Sequence, residues 1–511
     1  MSTLQQRMAA LSAQRLWGMR RGIERESLRT LPGGRLALTP HPQALGSALT
    51  NPHITTDYSE SQLELITGVH ASVASCEDEL TELHQFVQHT LAAQAPEGEL
   101  LWPSSMPCML PPDETIPLGR YGGSNIGRAK SIYRMGLGHR YGRRMQTISG
   151  IHYNWSLPGV DSDAYFGLIR NFRRQSFLLL YLFGASPALS ECFVLGRAHG
   201  LQPMGDAGGH TLFLPHATSL RMGRLGYQSE AQAQLSVSYN GLSGYADSLR
   251  EALTRPYPAY EAIGVQGLGG DYNQLATSLL QIENEFYGTI RPKRVVRSGE
   301  RPLHALRERG VEYVEVRLMD LDPFVSVGIT GQTMQLLDIF LLHCLLTDSP
   351  PDTPAEIDAL KHNQHSVAER GREPGLELLR FGQGVALVQW GAQILDECTP
   401  IARALDAAFG GDDYARALQA AQALLHRPQD TPSARVLQAL AQQHGNDFKA
   451  FGLAQARAAQ QALRALPWSA AQQQRMEQLS AQSLQAQRDI ERADALDFEA
   501  WRQDYVAVAT Q

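Results

Sequence analysis

Alternation of apolar and polar residues predicts four β-strands, each with one apolar face and one polar face. The four lie within residues 22–29, 53–68, 146–158 and 312–320. In the third segment, Ile151, Tyr153 and Trp155 alternate with polar residues. An antiparallel sheet commonly has one buried face and one polar face. The pattern therefore predicts an α+β protein with a mainly antiparallel sheet.

The segment 53–68 has two interpretations. As a helix it would place Asp57, Glu60 and Glu64 on one face, because offsets of three and four residues coincide there. As two short strands joined around Tyr58, it would place Glu64 on the face opposite two leucines. We favour strands, because residues 54–56 are β-branched and residues 62–67 nearly alternate before a glycine.

The C-terminal part of the chain has a different composition. From about residue 386 it is rich in Ala and Gln and has helical periodicity, interrupted at Gly410, Gly411, Pro428 and Pro467. No side chains in this part suggest chemistry. We predict a catalytic core over residues 1–385 and a helical region over residues 386–511 that packs on the core and is not an independent domain.

Composition restricts the protein classes. The 511 residues are 43% hydrophobic and 19% charged, which is typical of a globular protein, and the net charge of −7 argues against a nucleic-acid binder. Five dispersed cysteines without a CxxC pair predict neither a disulfide framework nor a zinc site, and they favour reducing cytoplasm. No signal peptide or apolar run of about 18 residues is present, so we expect no membrane association. The sequence does not fix the oligomeric state, and a monomer is consistent with it.

The polar faces of the predicted strands combine acids with a histidine and an arginine. They are Glu24, Glu26, Asp57, Glu60, Glu64, His152, Glu315 and Arg317. Each segment alone is more often a solvated strand face, and a lone histidine is usually structural. Together, so many carboxylates in one cavity require cations, and hard oxygen ligands favour Mg²⁺, with Mn²⁺ as the alternative. The cluster that contains Lys293 and Arg294 suits a polyphosphate, although a solvated basic loop is the commoner meaning.

A series of segments between residues 22 and 323 matches one known family in unchanged order. The segments are GIERESLR, ITTDYSESQLELIT, SMPC, YGGSNIGR, YRMGLGHRYG, MQTISGIHYNWSLP, LFGASP, ATSLRMGRLGY, QIENEFY, IRPKR and GVEYVEVRLMD. By these segments the chain resembles the glutamate-cysteine ligases of the proteobacterial type, also called γ-glutamylcysteine synthetases.

The resemblance implies a glutamine-synthetase-like ligase fold, in which a curved, mainly antiparallel sheet forms a metal-lined funnel surrounded by helices. It implies that ATP activates the γ-carboxylate of L-glutamate as an acyl phosphate. The amine of L-cysteine then attacks, giving γ-glutamylcysteine, ADP and phosphate in the first step of glutathione biosynthesis, with Mg²⁺ required.

Site residues follow from the same resemblance. The implied metal ligands are Glu24, Glu26, Asp57, Glu64, His152 and Glu315. The implied catalytic residues are Arg221 and Arg317, which also bind nucleotide together with Lys293 and Arg294. The implied substrate-binding residues are Tyr58, Tyr133, Leu137, Gln146, His152, Arg221, Tyr227 and Tyr287.

Two features depart from the family pattern, and other functions compete. Tyr58 stands where phenylalanine is expected, which concerns the cysteine pocket, and the C-terminal third matches poorly. The nearest alternative is another carboxylate-amine ligase of the same fold with a different amine acceptor. A metal-dependent phosphohydrolase would also use clustered carboxylates, and the helical C-terminal region alone favours a non-catalytic scaffold.

Overall fold

The structure is a computed structural model that describes residues 3–93, 98–205, 210–226, 230–233, 235–297 and 300–507. The strands are β1 (Arg20–Thr30), β2 (Ile54–Thr56), β3 (Gln62–Ile66), β4 (Leu100–Leu101), β5 (Ile151–Ser156), β6 (Ala188–Ser190), β7 (Gln202–Pro203), β8 (Thr211–Phe213), β9 (Ile290–Lys293), β10 (Tyr313–Met319), β11 (Glu377–Arg380) and β12 (Gln383–Ala386).

The helices surround the main sheet and make up most of the C-terminal region. They are α1 (Thr3–Ala9), α2 (Ala13–Trp17), α3 (Val73–Ala92), α4 (Asn125–Tyr141), α5 (Ser162–Gln175), α6 (Phe177–Phe183), α7 (Glu230–Ala233), α8 (Leu242–Thr254), α9 (Pro258–Ile263), α10 (Pro302–Arg309), α11 (Gly331–Leu346), α12 (Pro354–Arg370), α13 (Leu387–Phe409), α14 (Asp413–Leu425), α15 (Pro432–Gln443), α16 (Phe448–Ala465), α17 (Ala470–Ala493) and α18 (Phe498–Ala507).

The largest sheet is open and antiparallel, as the alternation predicts. Its strands lie in the order β2-β3-β1-β5-β10-β9, and β4 pairs with the far end of β1. The segment 53–68 forms β2, a turn and β3, so the strand interpretation is confirmed and the helical one is wrong. Residues directly opposite each other in an antiparallel pair share a face, so the register decides which side chains meet.

One face of this sheet is the main hydrophobic core. Ile23 on β1, Tyr153 and Trp155 on β5, and Val314 and Val316 on β10 are all buried in it. They pack with apolar residues of α5, α6, α11 and α13, helices that cover this face. The apolar faces predicted for these strands are thereby confirmed, and the polar faces are left to point the other way.

A buried ion pair lies within this core beneath the sheet. Arg21 on β1 and Asp338 on α11 are 3.0 Å apart, and both side chains are 0% exposed. Asp338 also accepts hydrogen bonds from Tyr153 Oη at 2.8 Å and from Tyr414 Oη at 3.2 Å. Tyr414 belongs to α14, so the network joins two strands of the sheet to the C-terminal helical region.

Several of the C-terminal helices contact the rest of the chain. Residues of α13 and α14 belong to the main core, and α16 lies so close to Trp102 that a Cβ at Gly452 would come within 2.0 Å of its ring. Phe498 of α18 packs against Ala129 of α4. The boundary near residue 386, just before α13 begins, remains a prediction. None of the described helices combines the length and apolarity needed to cross a membrane.

Replacing Asp338 by Asn should destabilise the protein strongly, because it leaves the Arg21 charge buried without its counterion. Loss of one partner of a buried ion pair costs about 3–5 kcal/mol. The matched control is Asp348→Asn, since Asp348 pairs with Arg7 at the surface, with side chains 66% and 45% exposed, where a pair contributes at most about 1 kcal/mol. Urea unfolding monitored by fluorescence measures both free energies. Equal losses in the two variants would contradict this account of the core.

Candidate active site

A cavity of about 770 Å³ lies over the polar face of the sheet. Side chains from β1, β3, β5, β9 and β10 form its floor, and α4, α12 and the loops around residues 57 and 287 contribute to its walls. The polar faces predicted from strand alternation therefore meet in one place.

Strand register brings the acids together at the centre of this floor. Glu26 on β1 lies directly opposite Glu64 on β3, and Glu24 lies opposite His152 on β5. Asp57 follows β2 and lines the same cavity. These five residues come from four different strands or strand ends, and the register places them on a single surface.

Their ligating atoms are close enough to share metal ions. The sets Glu24–Glu64–His152 and Glu26–Asp57–Glu64 each have ligand atoms within 4.8 Å of one another. His152 Nδ1 lies 3.0 Å from a Glu24 oxygen, and His152 Nε2 lies 3.5 Å from a Glu26 oxygen. Glu64 belongs to both sets, so it would serve as a ligand whichever set held a cation.

Crowding shifts the pKa values of these groups. Burial and the nearby Asp57 carboxylate raise the pKa of Glu26 to about 8, although Arg221 and Arg317 oppose the rise. Burial, together with its acidic neighbours, raises the pKa of Glu64 well above its ordinary value. The metal-free cluster therefore disfavours the ionised forms of Glu26 and Glu64, and a bound cation would favour them. Oxygen-rich ligands in a cluster short of cations fit Mg²⁺ or Mn²⁺.

Basic residues gather at the β9–β10 end of the floor. Lys293 Nζ lies 2.8 Å from one Glu315 oxygen, Arg317 Nη1 lies 2.9 Å from the other, and Arg291 lies 4.0 Å away. Burial opposes ionisation of Glu315, but Lys293 and Arg317 hold its pKa well below the usual range. An irregularity in the β5–β10 pairing lies beside Arg317, and such bulges often aim a side chain into a site.

Arg221 reaches the same floor from a short helical turn. Its Nη2 donates to the Arg317 carbonyl at 2.8 Å, and its Nη1 lies 3.7 Å from Asp320. A Cβ at Gly150 would come within 2.1 Å of this guanidinium, so only glycine leaves room for it. Arg221 is thus fixed beside Arg317, and the role that the resemblance implied for it remains a prediction.

Most of the predicted substrate residues also line the cavity. They are Tyr58, Tyr133, Leu137, Gln146 and Tyr287. Gln146 Nε2 donates to Tyr287 Oη at 2.6 Å, which fixes both side chains. Tyr227 lies outside the described residues, and its predicted role remains a prediction.

One acidic and one basic residue that the sequence analysis singled out lie outside the cavity. Glu60 accepts hydrogen bonds from the backbone N–H groups of His41 and Arg120, at 2.9 and 2.8 Å, because it sits in the tight turn between β2 and β3. Arg294 does not line the cavity. It follows β9, pairs with Glu312 at 3.6 Å and donates to the Gly310 carbonyl, so we remove it from the nucleotide-binding set.

Some cavity residues were missed by the sequence analysis. Arg291 alternates with Lys293 on β9 and lines the cavity, and strand alternation could have identified it. Asn154 does not line the wall, but it donates to Glu24 at 2.9 Å. Tyr505 of α18 also lines the cavity, and no local pattern indicated that the C-terminal region reaches the site.

The cysteines play no part in the cavity wall. Of the five, Cys76, Cys108, Cys344 and Cys398 are buried and Cys192 is partly buried. None is among the residues that line the cavity within the described ranges. The arrangement therefore offers no enzyme thiol for a covalent step.

Known proteins resemble this chain over almost its whole length. The family model of glutamate-cysteine ligase matches residues 4–367. A glutamate–cysteine ligase of Pseudomonas entomophila is 49% identical over 95% of this chain and 93% of its own, and one of Alcanivorax borkumensis is 45% identical over 99% of both. A solved structure of glutamate–cysteine ligase from Francisella tularensis in complex with AMP has a TM-score of 0.90 and 35% identity, covering 96% of this chain and 98% of that one. The C-terminal third, beyond the family model, is thus spanned by these relatives.

Replacing Glu26 by Gln should stabilise the metal-free protein at high pH. The Glu26 carboxyl has a pKa of about 8 in the folded protein and an ordinary value of 4.5. In the wild type it therefore contributes its full stabilisation below pH 4.5 and loses it as the pH rises through 8. The variant cannot ionise there, so its relative stability should rise by of the order of 2–4 kcal/mol between pH 5 and pH 9.

Thermal unfolding in EDTA at both pH values measures this difference. Added Mg²⁺ should then stabilise the wild type more than the variant, because only the wild type keeps the complete ligand set. A stability difference that does not change between pH 5 and pH 9 would contradict the charge crowding described for Glu26.

Proposed function

The chain belongs to the glutamate-cysteine ligase family, and from that premise we propose how its cavity joins L-glutamate to L-cysteine. The protein is an ATP-dependent ligase that forms γ-glutamylcysteine. The observation that supports our assignment of roles is the order along the sheet. Basic residues lie at the β9–β10 end and acids lie on β1, β3 and β5, while Tyr133 and Leu137 of α4 and Tyr287, just before β9, line the wall around them.

The central acids would hold the metal. Glu24, Glu64 and His152 form one set of ligands and Glu26, Asp57 and Glu64 form another, while Glu315 lies at the basic end of the floor. The raised pKa values of Glu26 and Glu64 support this role, because a buried acid cluster gains most from a divalent cation. When bound, Mg²⁺ would neutralise these carboxylates and the phosphates of ATP.

Lys293, Arg317 and Arg221 would receive the phosphates of ATP at the basic end. Their charges offset the negative charge that moves with the γ-phosphoryl group. The guanidinium of Arg317 is held by Glu315 and that of Arg221 by the Arg317 carbonyl, so neither has to reorganise during transfer. The relative from Francisella tularensis was solved with AMP, which supports a nucleotide site in this fold.

The part of the cavity wall formed by Tyr58, Tyr133, Leu137 and Tyr287 would hold the two amino acids. Tyr58, Tyr133 and Leu137 offer apolar surface of the size of a small side chain, while the Gln146–Tyr287 pair offers hydrogen bonds. Glutamate must place its γ-carboxylate at the acid cluster, where the phosphoryl group arrives. Cysteine must then place its amine next to the activated carbon.

The reaction needs two steps, because a carboxylate is a poor electrophile for an amine. First the γ-carboxylate oxygen attacks the γ-phosphorus of ATP, giving γ-glutamyl phosphate and ADP. Then the cysteine nitrogen attacks the acyl carbon, and inorganic phosphate leaves with the bonding electrons. The proton lost from nitrogen passes to the leaving phosphate or to a carboxylate of the cluster. No enzyme thiol takes part.

The amino-acid dependence of ADP release tests this function directly. We expect release at the full rate only when L-glutamate and L-cysteine are both present with ATP and Mg²⁺. L-2-Aminobutyrate should replace cysteine, because the attacking atom is nitrogen and not sulfur. Equal ADP release with no amino acid would instead indicate a phosphohydrolase, and a strong preference for an amine unrelated to cysteine would indicate a different ligase.

Replacing Glu64 by Gln should lower kcat by at least about 1,000-fold while the protein stays folded, because the residue belongs to both candidate metal sets. The matched control is Glu60→Gln, four residues away. Glu60 bonds backbone N–H groups outside the cavity, so this variant should keep activity within about threefold per folded molecule. Steady-state kinetics over a range of Mg²⁺ concentrations measures both. Similar activity in the two variants would remove Glu64 from the metal site.

A further inference from the structure

Most positive charges in the cavity wall already have a carboxylate partner. Arg173 pairs with Asp352, Arg174 with Glu356, and Arg221 with Asp320, at 2.8, 2.6 and 3.7 Å. The three cations on β9 and β10 share Glu315. Among the described residues, the remaining lysines and arginines of the wall are Lys130, Arg134 and the exposed Lys361.

Lys130 and Arg134 lie one turn apart on the cavity face of α4. No carboxylate oxygen of a described residue is within 4.0 Å of either charge. Instead, both cations lie over the ring of Tyr121, with Lys130 Nζ 5.1 Å and the Arg134 guanidinium carbon 4.4 Å from its centre. Arg134 donates to the carbonyls of Asp57 and Lys130. Contacts to a ring and to carbonyls hold the pair in place, and Glu64 interacts electrostatically with both cations without forming an ion pair with either.

This arrangement is costly unless an anion occupies the space beside it. Like charges one turn apart on a helix repel each other. Burial and the neighbouring Arg134 lower the pKa of Lys130 to about 8, in keeping with a cation that lacks its counterion. Glu64 is the acid that offsets this most, and a metal bound to Glu64 would withdraw much of that compensation.

We propose that Lys130 and Arg134 bind the α-carboxylate of an amino-acid substrate. A guanidinium and an ammonium converging on one carboxylate form strong, charge-assisted hydrogen bonds. The pair adjoins Asp57 at the β2 end, with Tyr133 and Leu137 on the same helix face. Lys293 and Arg317, proposed above to bind phosphate, lie on β9 and β10 beside Glu315, whereas this pair lies on α4 beside Asp57. The proposal rests on the ligase activity described above.

Both substrates have an α-carboxylate, and decarboxylated analogues distinguish between them. Cysteamine is cysteine without its carboxylate, and 4-aminobutyrate is glutamate without its α-carboxylate but with the reacting carboxyl retained. The experiment compares kcat/KM for each acid and its analogue in the wild type, in Lys130→Gln and in Arg134→Gln. Arg128→Gln is the matched control, because Arg128 lies on the same helix but outside the cavity, over the Phe498 ring.

If the pair binds the cysteine carboxylate, each variant should lower kcat/KM for cysteine by about tenfold to a hundredfold and leave that for cysteamine within about threefold. If it binds the glutamate carboxylate, the same pattern should appear for glutamate against 4-aminobutyrate. Arg128→Gln should change none of these constants by more than about twofold. Lys130→Arg keeps the charge. It should therefore retain most of the preference for the amino acid over its decarboxylated analogue, for whichever substrate shows the effect.

Equal losses for an acid and its decarboxylated analogue, in both arms, would overturn the proposal and assign the pair to positioning Asp57. A rise in KM confined to ATP would overturn it in favour of phosphate binding. Where a variant turns over too slowly, calorimetric binding of glutamate and of 4-aminobutyrate, and of cysteine and of cysteamine, makes the same comparison. The wild-type requirement for both amino acids, measured in the same assay, tests the ligase function separately.

Discussion

Repulsion of the Glu64 carboxylate by Asp57, Glu24 and Glu26 is the constraint to which the rest of the structure responds. Three carboxylates and His152 occupy neighbouring positions on one face of a sheet because strand alternation and register leave them no other direction. A protein keeps such a cluster only if added positive charge compensates it. The cations on β9 and β10 provide part of that charge, and protons or bound cations would provide the rest, as the raised pKa of Glu26 indicates.

Packing on the opposite face of the sheet prevents this repulsion from separating the strands. Ile23, Tyr153 and Trp155 are fully buried directly behind the acids, so the strands cannot move apart without exposing core. The Arg21–Asp338 pair adds a directional contact between β1 and α11 in the same layer. The acids therefore stay close together even without a bound metal, so metal binding would not require the strands to rearrange.

Strand alternation predicted most of the candidate site but not its exceptions. Residues within regular strands, such as Glu24 and His152, face the side that period-two alternation assigns to them. Glu60 does not line the cavity, because it lies in a turn where backbone N–H groups donate hydrogen bonds to its carboxylate. Arg294 does not line the cavity, because it follows the end of β9, where strand alternation no longer applies.

The contribution of the C-terminal region could not be predicted, because it depends on contacts between residues far apart in the chain. Tyr414 hydrogen-bonds Asp338, 76 residues away, and Tyr505 joins a cavity wall formed mainly by residues before position 366. Composition separates this region from the core, yet its side chains complete both the layer beneath the sheet and the wall above it. This region therefore contacts both the Asp338 network and the cavity wall, while the prediction that residues 386–511 pack on the core without forming an independent domain remains a prediction.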